Sequence, residues 1–347
     1  MRRRFIFILS FLLTLFSVSQ ANDKDFVERA YYGALFEPKA TVHNGAGQDT
    51  GVALRKGHKN LPDGFLEFAE ALGEDRYPIL WMTYTSLSQP RKTIINWGKH
   101  VRSKLEETGR DDIMPQIGLN LTGGHDTGEG LDELIAKGKY DDRIEAFCQA
   151  LEIIDRPMFV RIGYEFEGSW NGYKPDSFIK TWIRITKAIR EREIQAATVW
   201  CSAGGSAGPL PLSAVMAYYP GDEWVDWWGV DVFSPEEIPT DKLKEFCIEA
   251  GKRNFPVMLG EVTPRYVGVL DGKESWDKWF GPFFQFVRSR PEVKSICYIN
   301  WDWDFWAETL GFQWIDWQDS RIQNNEYVLN AYRKEMDSPL YEHSKKN

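Results

Sequence analysis

The sequence predicts an α/β protein built as a single-domain (β/α)8, or TIM, barrel. Three observations carry this. Eight short runs rich in apolar, β-branched or aromatic residues recur along the chain, and longer stretches with apolar residues at helical spacing separate them. No linker rich in Gly, Ser or Pro divides the 347 residues, a length at the upper end of one large domain. Alternation of this kind makes a parallel sheet with crossover helices, and eight repeats match the barrel. A doubly wound open sheet is the structural alternative, with its ligand at a single switch point.

The elements follow in order. The first strand is expected at 32–36, then a long loop over 37–60 and a helical stretch at 62–72. A second strand at 79–83 leads to a helix at 92–107, which follows Ser88, a candidate cap, and Pro90. The third strand is expected at 114–119. The helix at 140–154 places Ile144, Phe147, Cys148 and Leu151 on one face. Further strands are expected at 158–163, 198–202, 227–232, 257–261 and 295–300, with helices at 178–192, 240–253, 275–290 and 325–336. The strands read as nearly continuous apolar runs, which suits parallel strands buried on both faces. A second long loop, 302–323, holds Trp303, Trp306, Trp314 and Trp317.

Charge and composition narrow the function. Lys+Arg number 42 against 51 Asp+Glu, a formal charge of −9. A generic nucleic-acid binder needs a basic surface to displace phosphate counterions, so none is expected as partner. Residues 1–21 read as a secretory signal peptide: Arg2, Arg3 and Arg4, an apolar run over 5–18, then Ser19-Gln20-Ala21 at the cleavage point. The run is shorter than the roughly 20 residues that span a bilayer. Cleavage would remove three arginines and no acid, taking the charge from −9 to −12, and would leave 22–347 as the barrel domain. A secreted or periplasmic monomer, free of the membrane after cleavage, is expected. Cys148, Cys201, Cys247 and Cys297 each lie among apolar residues and read as scattered buried thiols. No Cys/His pair has zinc spacing, and no metal or organic cofactor is implied.

In a barrel the chemistry sits where strands end. The fourth strand runs Met158-Phe159-Val160-Arg161-Ile162-Gly163 into Tyr164-Glu165-Phe166-Glu167-Gly168-Ser169-Trp170. The seventh runs Pro256-Val257-Met258-Leu259-Gly260 into Glu261. Two nearly opposite strands thus deliver Glu165 and Glu261 to one rim. Paired carboxylates in different environments are what glycosidic cleavage needs, one to give a proton and one to attack or to activate water. Arg161 shares a strand face with Glu165 at period two and is placed to hold a carboxylate charged. Either glutamate alone would be an ordinary strand-end acid; the pair, near aromatics, points to function.

These residues carry a family resemblance. R-I-G-Y-E-F-E-G-S-W (161–170) resembles the fourth-strand motif of glycoside hydrolase family 26. Y-Y-P-G-D-E-W-V-D-W-W-G-V-D-V-F (218–233), G-K-Y-D-D-R-I-E-A-F (138–147) and P-V-M-L-G-E (256–261) resemble three further motifs of that family, in order. The resemblance spans about residues 30 to 305. It implies a retaining endo-acting β-glycanase, with β-mannan or β-1,3-xylan as usual substrate. It implies Glu165 as acid/base, Glu261 as nucleophile, Arg161 and Asp231 as supporting groups and Trp301 as a sugar platform. The family usually has His before the acid/base and Asn two places after it. Here those positions are Tyr164 and Glu167, close to where the sugar would lie, and Glu167 is a rival acid.

Sugar rings pack C–H faces on flat aromatic side chains. Trp170, Trp200, Trp301, Trp303 and Trp306 fall at expected strand ends or rim loops, and about half of them are expected to be core. Trp224, Trp227 and Trp228 read as core packing. Arg265, just after the seventh strand, is placed to meet an anionic substituent, although an exposed Arg is the ordinary expectation. Other motifs are weaker. Gly204-Gly205-Ser206-Ala207-Gly208 fits the nucleophile elbow of a serine esterase, but Pro209 and Pro211 interrupt the helix it needs, and His343 alone follows it. Residues 45–51 nearly copy a dinucleotide fingerprint and read as a loop over the barrel mouth. His125-Asp126 follows the third strand as a turn or a substrate contact. A non-catalytic glycan-binding barrel remains the alternative to the glycanase.

Overall fold

The computed structural model describes residues 26–47, 63–124, 128–208, 210–238, 240–310 and 315–346. The signal-peptide reading and His125-Asp126 lie outside them. Eight parallel strands close into a barrel: β1 Val42–Ala46, β2 Leu80–Ser86, β3 Met114–Asn120, β4 Met158–Ile162, β5 Ala196–Ser202, β6 Trp227–Val232, β7 Val257–Val262 and β8 Val293–Tyr298. Each pairs with its neighbour in chain order, and β1 closes the ring by pairing with both β8 and β2. A short ninth strand, β9 (Tyr341–Glu342), runs parallel to the start of β1.

Helices cross between the strands where periodicity and caps direct them. Asp63 accepts from the Phe65 and Leu66 amides and starts Gly64–Leu72; Thr240 starts Asp241–Lys252 through the Leu243 amide. Pro175 opens Pro175–Glu191, its fixed φ suited to a first helical turn. The stretch expected as one helix at 275–290 is divided by a π-helical turn, Trp276–Phe280, followed by Gly281–Ser289. Part of the loop expected over 302–323 is a helix, Trp303–Leu310.

The first strand differs from the expectation. Residues 32–36 form no strand, because Gly33 (φ 77°) and Phe36 (φ 58°) turn the backbone and the Glu37 carboxylate takes the Tyr32 and Ala34 amides. The strand lies ten residues on, inside the expected loop. Its sequence, Val-His-Asn-Gly-Ala, hides the pattern because the two polar residues are buried with partners. His43 Nε2 pairs with the Phe36 carbonyl at 2.9 Å, and Asn44 Nδ2 donates to the Arg76 carbonyl at 3.2 Å. Gly45 and Ala46 are therefore strand residues, not the loop over the mouth; 48–51 lie outside the described residues.

Two apolar layers result. Strand residues facing out pack with the helices in a shell that includes Val160, Trp200, Trp228 and Phe246. Residues facing in, among them Leu80, Met82, Phe159, Val199, Cys201, Trp227 and Met258, fill the barrel axis up to Trp301 and Trp303. All four cysteines are buried free thiols, as expected.

Candidate active site

Inward parity delivers Phe159 and Arg161 on β4, Cys201 on β5 and Asp231 on β6 to the axis. Strict alternation along β7 would turn Glu261 outward with Leu259. The pairing instead slips between Leu259 and Val262 towards β8, and between Val230 and Val232 towards β6. This bulge turns two successive residues inward. A side chain at Gly260 would lie 2.8 Å from Asp231 Oδ1, so only glycine leaves room there for the acid beside it.

Arg161 is fully buried and organises the centre. Nη1 donates to both Asp231 oxygens at 3.2 Å, and Nη2 donates to Glu261 Oε1 at 2.5 Å. The Tyr84 hydroxyl accepts from Nη2 at 3.4 Å, and the Tyr164 ring lies 4.7 Å from the guanidinium carbon. Period-two spacing places Arg161 beside Glu165, but its bonds run to Glu261 and Asp231. The reason is that β4 ends at Ile162. Gly163 and Glu165 then adopt φ of 54°, and the chain folds over β5.

Glu165 is held in that left-handed conformation, which costs a non-glycine residue roughly 1–3 kcal/mol, by a set of backbone bonds. Its amide donates to the Cys201 carbonyl at 2.8 Å, and its carbonyl accepts from the Gly168 amide and from Asn171 Nδ2, both at 2.9 Å. Its carboxylate Oε2 accepts the Trp170 indole N–H at 2.8 Å. Gly168 permits this: a Cβ there would lie 2.4 Å from the Trp170 ring. Burial first, then the charges of Asp231 and Glu261, push the Glu165 carboxyl well above the usual carboxylate range; the Trp170 bond and Arg161 oppose them. Burial and the Glu261 charge likewise push the hydroxyls of Tyr84 and Tyr164 upward, so both stay neutral.

The remaining candidates divide. Trp170 and Tyr164 are partly exposed beside Glu165. Glu167 accepts a hydrogen bond from Ser202 at the end of β5, which ties its carboxylate to that strand's loop. Trp301 tops the axial column at 4 % exposure and offers little surface to a sugar; its amide donates to Ser320 Oγ at 3.0 Å. Trp200 is corrected: it faces outward from β5, is fully buried, stacks on Phe166 at 4.6 Å and donates to the Tyr218 carbonyl at 3.2 Å. It is core, and alternation with Cys201 explains why. Trp303 is core as well, and the Trp306 side chain lies outside the described residues. Ser206 donates to Glu237 at 3.2 Å, while His343 Nε2 pairs with the Met336 carbonyl, so the esterase constellation does not assemble. Sequence reading missed Tyr84 and Asn171. Tyr84 continues the inward series Leu80, Met82, Tyr84 and was open to a parity argument. Asn171 acts through backbone carbonyls and left no signal.

No protein-family model matches the chain. It is 26% identical over 257 residues to a β-1,3-xylanase of Alcaligenes sp., covering 67% of this chain and 54% of that protein. It is 28% identical over 228 residues to a β-1,3-xylanase of Vibrio sp., covering 60% and 49%. The chain spans about half the length of these curated relatives. In fold it resembles the GH26 β-mannanase of Bacteroides ovatus, with a TM-score of 0.58 at 14% identity over 87% of this chain and 88% of that one. The two β-1,3-xylanase relatives and the shared barrel agree with the resemblance to glycoside hydrolase family 26 that the four motifs carry.

Proposed function

We propose that the chain is a retaining endo-β-glycanase that cleaves a β-1,3-xylan or β-mannan type polysaccharide, with Glu261 as nucleophile and Glu165 as acid/base. One observation carries this: a single buried arginine is bonded to Glu261, while Glu165 sits where burial and two anions favour its protonated form. Environments that separate two carboxyls are the signature of an acid and a nucleophile working as a pair. The names of the sequence relatives support the reading.

The residues then act in two steps. Glu165 gives its proton to the glycosidic oxygen as the leaving sugar departs, and Glu261 Oε attacks the anomeric carbon from the other face. Arg161 keeps Glu261 aligned through its Nη2 bond to Oε1 until the glycosyl ester forms. Glu165, now a carboxylate, takes a proton from water, which displaces Glu261 and restores the anomeric configuration. Asp231 fixes Arg161 from behind and touches no substrate in this scheme. We assign the enzyme to the exported side of the cell, in line with residues 1–21; no helix among the described residues is long and apolar enough to cross a membrane.

The test is digestion of linear β-1,3-xylan and β-1,4-mannan, followed by reducing-end release and early proton NMR of the product. The β-anomer is expected first. Glu165→Gln is expected to lower kcat by about 10²–10⁴, the usual share of general acid catalysis. Glu261→Gln is expected to abolish turnover. An α-anomer as first product, or full activity in either variant, overturns the assignment.

A further inference from the structure

Among the described arginines, Arg265 alone makes no side-chain hydrogen bond or ion pair. Arg29, which meets no acid, is satisfied by backbone carbonyls such as those of Val287 and Arg290. The Arg265 Nε is buried without a hydrogen-bond partner. A buried N–H left unpaired is costly, and native structures rarely keep one without a use.

Arg265 is nevertheless held in place. Its guanidinium carbon lies 4.5 Å from the Tyr266 ring centroid and 4.6 Å from that of Trp317. Its amide donates to the Phe233 carbonyl, past the end of β6, at 3.2 Å. Phe233 packs on Trp317, and Trp317 on Trp303, whose indole N–H donates to Thr263 Oγ1 at 3.3 Å. Arg265 thus stands at the same rim as Glu261, four residues further along the chain. Tyr266, 45 % exposed, has φ of 69°, a left-handed conformation rare in an aromatic residue. The Asp316 carbonyl and Gln318 Nε2 pin its backbone there.

Carboxylates on the segments that adjoin Arg265 in the rim are bonded elsewhere. Glu237 accepts from the Phe233 amide at 2.8 Å, and Asp302 and Asp319 both pair with Arg321. A flat guanidinium braced by aromatic faces, its N–H groups unused, is built for planar or tetrahedral anions. We propose that Arg265 binds an anionic substituent, carboxylate or sulfate ester, carried by the glycan next to the cleavage point. This rests on the glycanase reading and adds the substituent that the rim selects.

The test uses neutral β-1,3-xylan and its carboxymethylated and sulfated derivatives, with hydrolysis read as kcat/KM. Wild type is expected to prefer one anionic polymer over the neutral one by about tenfold, as hydrogen bonds to charged groups allow. Arg265→Gln should remove that preference while keeping neutral-xylan turnover within about twofold. Arg265→Lys should retain part of it, since lysine keeps the charge without the fork. About 1 M salt, where the Debye length is about 3 Å, should weaken the preference. Which derivative gains identifies the anion. No preference in wild type, or the same preference in Arg265→Gln, overturns the proposal and leaves the glycanase reading intact. If wild type cleaves neither xylan nor mannan, that reading fails instead. Calorimetry of short neutral and anionic xylo-oligosaccharides with wild type and Arg265→Gln then decides Arg265 alone: equal affinity overturns it, and a tighter anionic complex only in wild type supports it.

Discussion

Glu165 is placed where a carboxyl is uncomfortable when charged, and this fixes the sign of two effects. Its folded value lies above its unfolded one, because of burial and the Asp231 and Glu261 charges. A raised group stabilises fully below the unfolded value, and that stability drains away as pH rises towards the folded value. The neutral isostere Glu165→Gln removes the loss. It is expected to match wild type in stability near pH 4 and to exceed it increasingly above that, by at most about 1.4 kcal/mol per pH unit. Urea unfolding at pH 4, 6 and 7.5 checks this; a gap that shrinks with pH would refute it. Trp170 works in the opposite sense, since its indole N–H stabilises the charged form. Trp170→Phe should therefore raise the Glu165 value further and move the alkaline limb of the kcat/KM profile upward, by roughly half to one pH unit. An unmoved alkaline limb would show that another group sets it.

At the scale of elements, the tightest joint is that between helices Arg91–Glu107 and Asp141–Ile154. Gly98 faces Ala150 there, and an added Cβ would lie 2.7 Å from the Ala150 Cβ and 2.8 Å from its carbonyl oxygen. Helix propensity alone would make Gly98→Ala stabilising by about 1 kcal/mol. Overpacking a closed interface typically costs about 1–3 kcal/mol, so the net change should be destabilising. Chemical denaturation of Gly98→Ala should give a lower midpoint with an unchanged slope. The same joint shows what the sequence could reveal. Both helices were legible because Ile144, Phe147, Cys148 and Leu151 repeat at helical spacing, whereas the contact at Gly98 needs the partner's position. Seven strands were legible from their apolar runs. β1 was not, since its buried His43 and Asn44 are satisfied by residues distant in sequence, from Arg76 to Glu342. In the site, Glu165, Glu261 and Arg161 were readable from their places on or after strands, and Asp231 from the family motifs. The partner of Arg161 was not, because the β7 bulge and the fold-back after β4 are departures from period two. Trp200 was misplaced although its own alternation with Cys201 held the answer.

Seen as a whole molecule, the barrel has a mouth that carries Glu165 and Glu261 and a sealed floor, and the segment before β1 makes the seal. Phe36 packs edge-on against Phe159 at 5.9 Å, and the Trp227 indole N–H donates to the Leu35 carbonyl at 2.8 Å. The Arg29 guanidinium donates to the carbonyls of Val287, Arg290 and Val293. Lys294, at the start of β8, is wholly buried under this segment. Its Nζ donates to the Ala30 and Lys39 carbonyls at 2.8 and 3.0 Å and lies 3.6 Å from Glu37 Oε1. Conserving shape while removing one charge, as in Glu37→Gln, leaves a buried ammonium without its counter-ion. Such one-sided removal costs up to about 3–5 kcal/mol, with the two carbonyls limiting the loss. In a chain of this size that corresponds to a fall in Tm on the order of 10 °C. The double variant Glu37→Gln with Lys294→Met removes both charges and should recover part of the fall. Because the floor lies at the opposite end of the strands from Glu165 and Glu261, kcat/KM at 25 °C should stay within about twofold in both variants. A Tm loss that the double variant fails to reduce would show that the pair is not the seal's electrostatic core. A loss of kcat/KM without a loss of Tm would show that floor and mouth are coupled.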